Sequence, residues 1–412
     1  MSFNRTTVIL ILGALSTIGP FAIDMYLPGF PAIAEDLNTT VDSVSYSLSS
    51  FFFGVCFGQL ICGPLLDRFG RKRVLYAGLA IFIIASLGCA MATSIEGLIL
   101  SRLFQALGGC VGMVAPRAIV RDMFPIQENA KVFSLLILIL GVSPIMAPTV
   151  GSYVIAVFGW NYVFVILAIV TTLVLAAVIF WLPESHPPDP SFSLRPMPIL
   201  RSFMFVLKEP QFYTNALAGG VASAGLFAYL AGSPFVFMEL YQVSEQQYGG
   251  IFSLIATGLI LSSQLNTVLL KRFSTAQLMR AVLSVQVIMG MMLFAGTALD
   301  WLGLYGTIFL IFLFLGCQGF TFPNSAALSM APFSKEAGSA SALMGALQMG
   351  LGALASAAVG YFNAQSAIPM TAIMASCTTL GFVILLVGNR RIHYRARKLD
   401  IEEQTMDLLE KY

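Results

Sequence analysis

Apolar runs of about 20 to 28 residues alternate with short polar breaks along this chain, and the alternation occurs twelve times. A run of roughly 20 apolar residues crosses the ~30 Å hydrocarbon core of a bilayer as a helix. Spans are therefore predicted at about 7–28, 44–66, 74–93, 97–120, 130–155, 161–182, 211–238, 247–270, 275–298, 302–328, 338–362 and 367–388. The connections are short, with one exception. Pro183–Pro210, after the sixth run, carries seven prolines and mixed charges and reads as a linker. The expected fold is all-α and membrane-integral, with twelve transmembrane helices in two six-helix bundles. Residues 1–182 form one bundle, 183–210 the linker, 211–388 the second bundle and 389–412 a tail.

The charges choose a side. Of the 22 Lys and Arg residues, all but Arg102 and Arg117 fall before span 1, after span 12 or in the even-to-odd turns, all on the side of the termini. The opposite loops and span ends hold acids instead: Glu35, Asp36, Asp42, Glu96, Glu239, Glu245 and Asp300. Positive charge stays in the cytoplasm, so both termini are expected there. The start, Met1–Thr7, is short and no small-residue cleavage site follows, so span 1 reads as a retained helix and not a signal peptide.

Composition narrows the class further. With 58% hydrophobic and 10% charged residues the chain is far from a soluble domain, which carries about 25% charged residues. A net charge of +2 with no basic face outside the turns gives no footing for nucleic acid. The six cysteines lie in apolar runs without paired spacing and read as small buried hydrophobes. No metal site and no cofactor are expected.

The halves echo each other. Ala115-Pro116-Arg117-Ala118 through Pro125 and Glu128 matches Phe322-Pro323-Asn324-Ser325 through Pro332 and Glu336, and Leu65–Phe69 matches Leu269–Phe273, at offsets of 204 to 208 residues. Two such halves imply a pseudo-twofold axis along the membrane normal and a binding site between them near the midplane.

An ionisable group inside a span is a functional hypothesis by default. Asp24, Arg102 and Arg117 stand out. Asp24 precedes Pro28 at the outward end of span 1, and Arg102 follows Glu96 at the outward end of span 4, so their depths match. A carboxylate beside a guanidinium there can be switched by protonation or by a ligand that takes over the arginine. This pair is the expected coupling element; the other reading is a static tie between the spans. Arg117, 15 residues further on, belongs near the cytoplasmic mouth, either receiving polar cargo or snorkelling to the interface. Ser16 leaves Asp24 as the one buried acid.

The turn between spans 2 and 3, Gly63-Pro64-Leu65-Leu66-Asp67-Arg68-Phe69-Gly70-Arg71-Lys72, resembles the Gly-x-x-x-Asp-Arg-x-Gly-Arg-Arg/Lys signature of the major facilitator superfamily. Asp24-Met25-Tyr26-Leu27-Pro28 with Pro31 is similar to the Bcr/CflA type of twelve-span drug:proton antiporters, and Arg102-x-x-Gln105-x-x-Gly108 to the family's span-4 arginine motif. Ser143-Pro144-x-x-Ala147-Pro148-x-x-Gly151-Ser152 resembles the antiporter motif of span 5, with Ala147 and Ser152 where glycines are usual. The resemblance covers essentially the whole chain. It implies a bacterial cytoplasmic-membrane protein, a monomer and not an enzyme. Its coupling ion would be H+, and it would export amphipathic molecules of the phenicol or bicyclomycin-like kind by alternating access. It further implies a latch in which Asp67 meets the start of span 11 near Gly338 while Arg71 pairs with Asp122. Gly63, Arg68 and Gly70 shape the turn; the plainer reading is that its basic residues only set topology.

Cargo is bounded loosely. Tyr26, Phe235 and other aromatics suit apolar, uncharged or aromatic molecules, and Gln105, Gln318, Asn324 and Gln348 are hydrogen-bonding candidates at membrane depth. Phenylalanines facing lipid are equally ordinary in any span. Apart from this cargo and the bilayer, no partner is expected. A transporter of an endogenous amino acid, small peptide or sugar is the alternative function. A membrane enzyme or sensor is a third class, without a nucleophile–base pair, ligand cluster or phosphate loop to support it. The tail, with Arg390, Arg391, Arg395, Arg397 and Lys398 before an acidic stretch, reads either as an amphipathic helix on the inner leaflet or as disordered.

Overall fold

The computed structural model describes residues 5–189, 196–333, 336–362 and 366–409, with the backbone alone for 126–131, 134, 137, 196 and 393–409. Of the charges that set the sidedness, Arg195, Lys335 and Lys411 lie outside the described residues, as do the side chains of Lys131, Arg395, Arg397 and Lys398.

Helices form all the regular structure among the described residues. They are α1 (Arg5–Asp24), α2 (Phe30–Asp36), α3 (Val41–Phe69), α4 (Arg71–Ala90), α5 (Ile95–Met123), α6 (Ile126–Phe158) and α7 (Asn161–Phe180) in the first half. The linker contributes α8 (Pro196–Leu207). The second half has α9 (Pro210–Pro234), α10 (Glu245–Leu269), α11 (Thr275–Ala298), α12 (Leu304–Met330), α13 (Ala337–Phe362) and α14 (Ile368–Leu409). Twelve spans are long and apolar enough to cross a membrane, counting Arg5–Asp36 and Pro210–Leu240 as one each.

Local chemistry sets the ends. Thr40 and Ser94 cap α3 and α5 through their hydroxyls, and Ser244/Gln247 and Ser274/Gln277 form capping boxes on α10 and α11. Helix α3 stops at Gly70, whose φ of +84° suits glycine alone at little cost.

Three boundaries differ from expectation. Span 1 does not end at Pro28 but breaks there and resumes as α2 to Asp36, because proline is accommodated in the first turn of a new helix. Span 5 starts earlier, at Ile126. The tail is not a separate element: α14 continues unbroken to Leu409, with no proline after Pro369 in its first turn and no glycine beyond Gly388 to stop it.

The same packing recurs in each half. Helix α5 lies on α3, α4 and α1, and α12 lies on α10, α11 and α9 in the same relation; α4 packs on α7 as α11 packs on α14. The halves meet along α3 with α13 and α6 with α10. At one end these seams are tight: α13 passes Asp42 and Ser45 at Gly360, and α10 passes Pro148 and Thr149 at Gly249. Ser49 bonds Ser356 across the seam at 2.8 Å, and Thr149 meets Ser253 at 2.9 Å. Toward the basic turn α3 and α13 still touch, with Gln59 against Gly345 and Leu60 packed on the cluster that holds Leu343, and only beyond these contacts is there open space around Gly63 and Gly338. A cleft thus opens between the halves on the side of the basic turn.

Candidate functional site

The site is built on the break in span 1. Pro28 has no N–H, and Leu27–Gly29 tightens into a 3-10 turn, so α1 ends at Asp24. Gly151 of α6 is seated against the Met25 carbonyl, where any β-carbon would collide with backbone. Two prolines interrupt α6 beside it. The Leu140 carbonyl, which Pro144 leaves without its helical donor, receives a hydrogen bond from Ser143 Oγ at 2.7 Å. Ala147 is fully buried, and Pro148 turns its carbonyl to Gly249 of the other half. The span-5 motif thus joins the break in span 1 to α10.

Arg102 of α5 is completely buried, at 0% exposure. Its guanidinium carbon lies 4.3 Å from the ring centroids of both Tyr26 and Phe51 and 5.7 Å from that of Phe164, a cage that holds a cation by its aromatic faces. One nitrogen, Nη1, donates to Gln105 Oε1 at 2.5 Å, and Gln105 Nε2 donates to Ser86 Oγ of α4 at 2.7 Å. The other two nitrogens, Nε and Nη2, have no hydrogen-bond partner. Burying donors without acceptors is costly, and the aromatic cage with the nearby Tyr26 hydroxyl offsets only part of that cost, so a further acceptor would be favourable.

That acceptor is not Asp24 in this conformation. The expected ion pair is not formed: Asp24 is buried, at 6% exposure, and makes no salt bridge, while Arg102 turns to its own-helix neighbour three residues on. Asp24 instead lies within electrostatic reach of Tyr229 on α9 and Tyr248 on α10. The 3-10 turn after it touches both helices. Tyr248 is hydrogen-bonded to Ser233 at 2.9 Å, whereas the buried Tyr229 hydroxyl lies near the same serine without completing a hydrogen bond. An acid of one half and two phenols of the other are thus near enough to act on one another electrostatically. From the sequence Tyr229 is one of the many aromatics of the spans, and Tyr248, Ser233 and Ser86 are not among the candidates. A polar group on the apolar stretch of a span was their signal, as it was for the glutamines.

The other candidates divide. Tyr26 and Gln105 are brought to Arg102. Gln318 and Asn324 are not free for cargo: Gln318 accepts from Gln286 at 3.0 Å and bonds Ser223, and Asn324 exchanges amide bonds with Asn266, donating at 2.8 Å. Gln348 is buried on α13 beside Gly220. Phe235 opens a π-helical turn, Phe235–Leu240, and lines a small recess with Asp42 and Met370 at the closed end, away from the cleft. Arg117 is surrounded by protein yet reached by solvent, as a residue on the wall of a cleft is; the charged group that acts on it is Arg121 of its own helix.

The basic turn is half of the expected latch. Arg71 bridges Asp67 at 2.6 Å and Asp122 at 2.9 Å. Asp67 does not reach the start of α13, which is open around Gly338. In its place Glu184 of the linker caps α4, accepting from the backbone N–H of Arg71 at 2.9 Å and of Lys72 at 3.2 Å, with its carboxylate against Gly70. Arg68 stacks on Phe69. Among the described residues no cluster of three or more His, Cys, Asp or Glu could hold a metal ion.

Comparison with known proteins places this geometry. The family model of the Major Facilitator Superfamily matches residues 12–357. The bicyclomycin resistance protein homolog of Haemophilus influenzae is 30% identical over 382 residues, covering 92% of this chain and 96% of that one. The multidrug resistance protein MdtL of Citrobacter koseri is 32% identical over 389 residues, covering 92% and 95%. Among solved structures, a D-xylose-proton symporter superposes with a TM-score of 0.71 at 13% identity over 92% of this chain and 97% of that one, a likeness of fold.

Proposed function

This chain belongs to the Major Facilitator Superfamily, and we propose that it exports amphipathic small molecules, phenicol-like or bicyclomycin-like, in exchange for protons. The protein is a multi-pass membrane transporter and not an enzyme; the cargo, the exchange, cytoplasmic termini and action as a monomer are the proposal. The observation that carries it is the state of Arg102 and Asp24. These are opposite charges, both buried in one half, and neither is spent on the other. The multidrug and bicyclomycin names of relatives at about 30% identity support the cargo class.

Asp24 carries the proton. Without it, the site holds an anion at low dielectric, which attracts the nearest donors: the open nitrogens of Arg102 or the Tyr229 hydroxyl. Cargo entering the cleft from the side of the basic turn donates a hydrogen bond to the carboxylate itself, which only the deprotonated acid accepts in full. The two occupants compete, and the proton leaves as the cargo settles. Reopening on the far side lets a proton replace the cargo. One proton moving down ~100 mV supplies ~2.3 kcal/mol, which drives modest concentrative export.

The test is exchange in energised everted vesicles, with a phenicol, a bicyclic peptide-like antibiotic and a cationic dye. Wild type should collapse part of the pH gradient on addition of a neutral drug, and Asp24→Asn should bind the drug without doing so. If no drug acts and an amino acid, peptide or sugar does, the protein is a metabolite transporter and the proposal fails.

A further inference from the structure

Arg280 of α11 and Arg390 of α14 line a groove of about 440 Å³ together with Leu386 and Asn389. Among the described residues neither arginine makes a salt bridge and no carboxylate lines the groove. Arg71, on the same side of the protein, is by contrast neutralised by two acids. Two cations sharing one groove repel each other unless an anion lies between them.

The surface below the arginines is apolar and continuous with them. On α14, Val383, Leu386 and Val387 precede Arg390 by seven, four and three residues, so they lie on its face of the helix, and all three are exposed. On α11, Ile288 lies eight residues beyond Arg280 on the same face and is also exposed. A pair of guanidinium groups above a greasy furrow between two spans matches a molecule with an anionic phosphate head and an alkyl chain. A guanidinium fork receives phosphate oxygens two at a time.

We propose that the groove between α11 and α14 is a binding site for an anionic phospholipid of the leaflet that faces the basic turns, its phosphate held by Arg280 and Arg390 and an acyl chain laid along Leu386 and Val383. The site is on the outer wall of the second half, outside the cleft, and is independent of what the protein transports. It rests on the orientation that the basic turns imply, since that leaflet is the one whose anionic lipids attract such clusters.

Native mass spectrometry of the full-length protein, released from micelles with equal phosphatidylglycerol and phosphatidylcholine, tests this. Wild type should retain phosphatidylglycerol several-fold over phosphatidylcholine. Arg280→Gln with Arg390→Gln should reduce the ratio to near one, with the thermal midpoint in lipid-free detergent unchanged. Arg280→Lys with Arg390→Lys should keep most of it. Lys271→Gln with Arg272→Gln, basic residues of the same side outside the groove, should leave it as in wild type. No preference in wild type, or an equal loss in the control pair, would overturn the site. Displacement of the lipid by millimolar inorganic phosphate would make it a site for a free anion and overturn the lipid assignment.

Discussion

The contact of α4 with α5 and the contact of α11 with α12 occupy the same place in the two halves, yet they use polar groups in opposite ways. In the second half Gln286 donates to Gln318, Gln318 to Ser223, and Asn266 and Asn324 exchange amides, so these buried amides find partners within the half, although the Tyr229 hydroxyl and Thr214 Oγ1 do not. In the first half Gln105 makes the matching bond to Ser86, but its chain ends on Arg102, with two nitrogens open. A satisfied neutral network rigidifies a bundle. An unsatisfied buried cation leaves a bundle dependent on what arrives. The second half is built as a frame and the first as a switch.

The sharpest way to break this comparison is to neutralise each side. Arg102→Met should abolish drug-driven proton exchange while leaving thermal stability unchanged or raised by about 1 kcal/mol or more, since a buried charge without full bonding is often replaced at a gain. Gln318→Leu should do the reverse: it orphans Gln286 and Ser223, lowers stability by about 1–3 kcal/mol and leaves exchange per folded molecule near wild type. Thermal unfolding and vesicle exchange measured side by side check both. If Arg102→Met unfolds the protein and Gln318→Leu uncouples it, the roles of the halves are reversed.

Gly151→Ala should follow in size. The added methyl meets the Met25 carbonyl, so α6 or the break in span 1 shifts, with a loss of about 1–3 kcal/mol and of most transport. Gly250→Ala, on α10 with open space around it, should be silent in the same assays. Smaller still is Tyr229→Phe, which removes a hydroxyl that completes no hydrogen bond within the protein. Stability should hold, while the apparent affinity for a carbonyl-bearing drug falls by about tenfold, the worth of one buried hydrogen bond.

Much of the fold was legible in the sequence. The twelve runs and the basic turn carry their own physics: length against bilayer thickness and charge against topology. The pairing of Arg71 with Asp122 was implied by the family resemblance of that turn and not by span length or charge count. The pairing of Asp24 with Arg102 was inferred from depth, and depth is only half of a position. Arg102 faces Gln105 and the rings of Tyr26 and Phe51, and Asp24 faces the other half; neither rotation about the helix axis is written in span length. The partners of Gln318 and Asn324 lie 32 to 95 residues away on three helices, so their consumption within the half could not be seen from spacing. Span 1 was read as ending at its prolines, although those residues also begin helices, as they do here at α2.

The most direct test of the central claim is the number of protons released when a neutral drug binds the purified protein in weakly buffered detergent solution. Wild type should release protons on binding, Asp24→Asn should bind the drug and release none, and Arg102→Met should release none or bind more weakly. Release from Asp24→Asn equal to wild type would show that the proton is carried elsewhere and contradict the account.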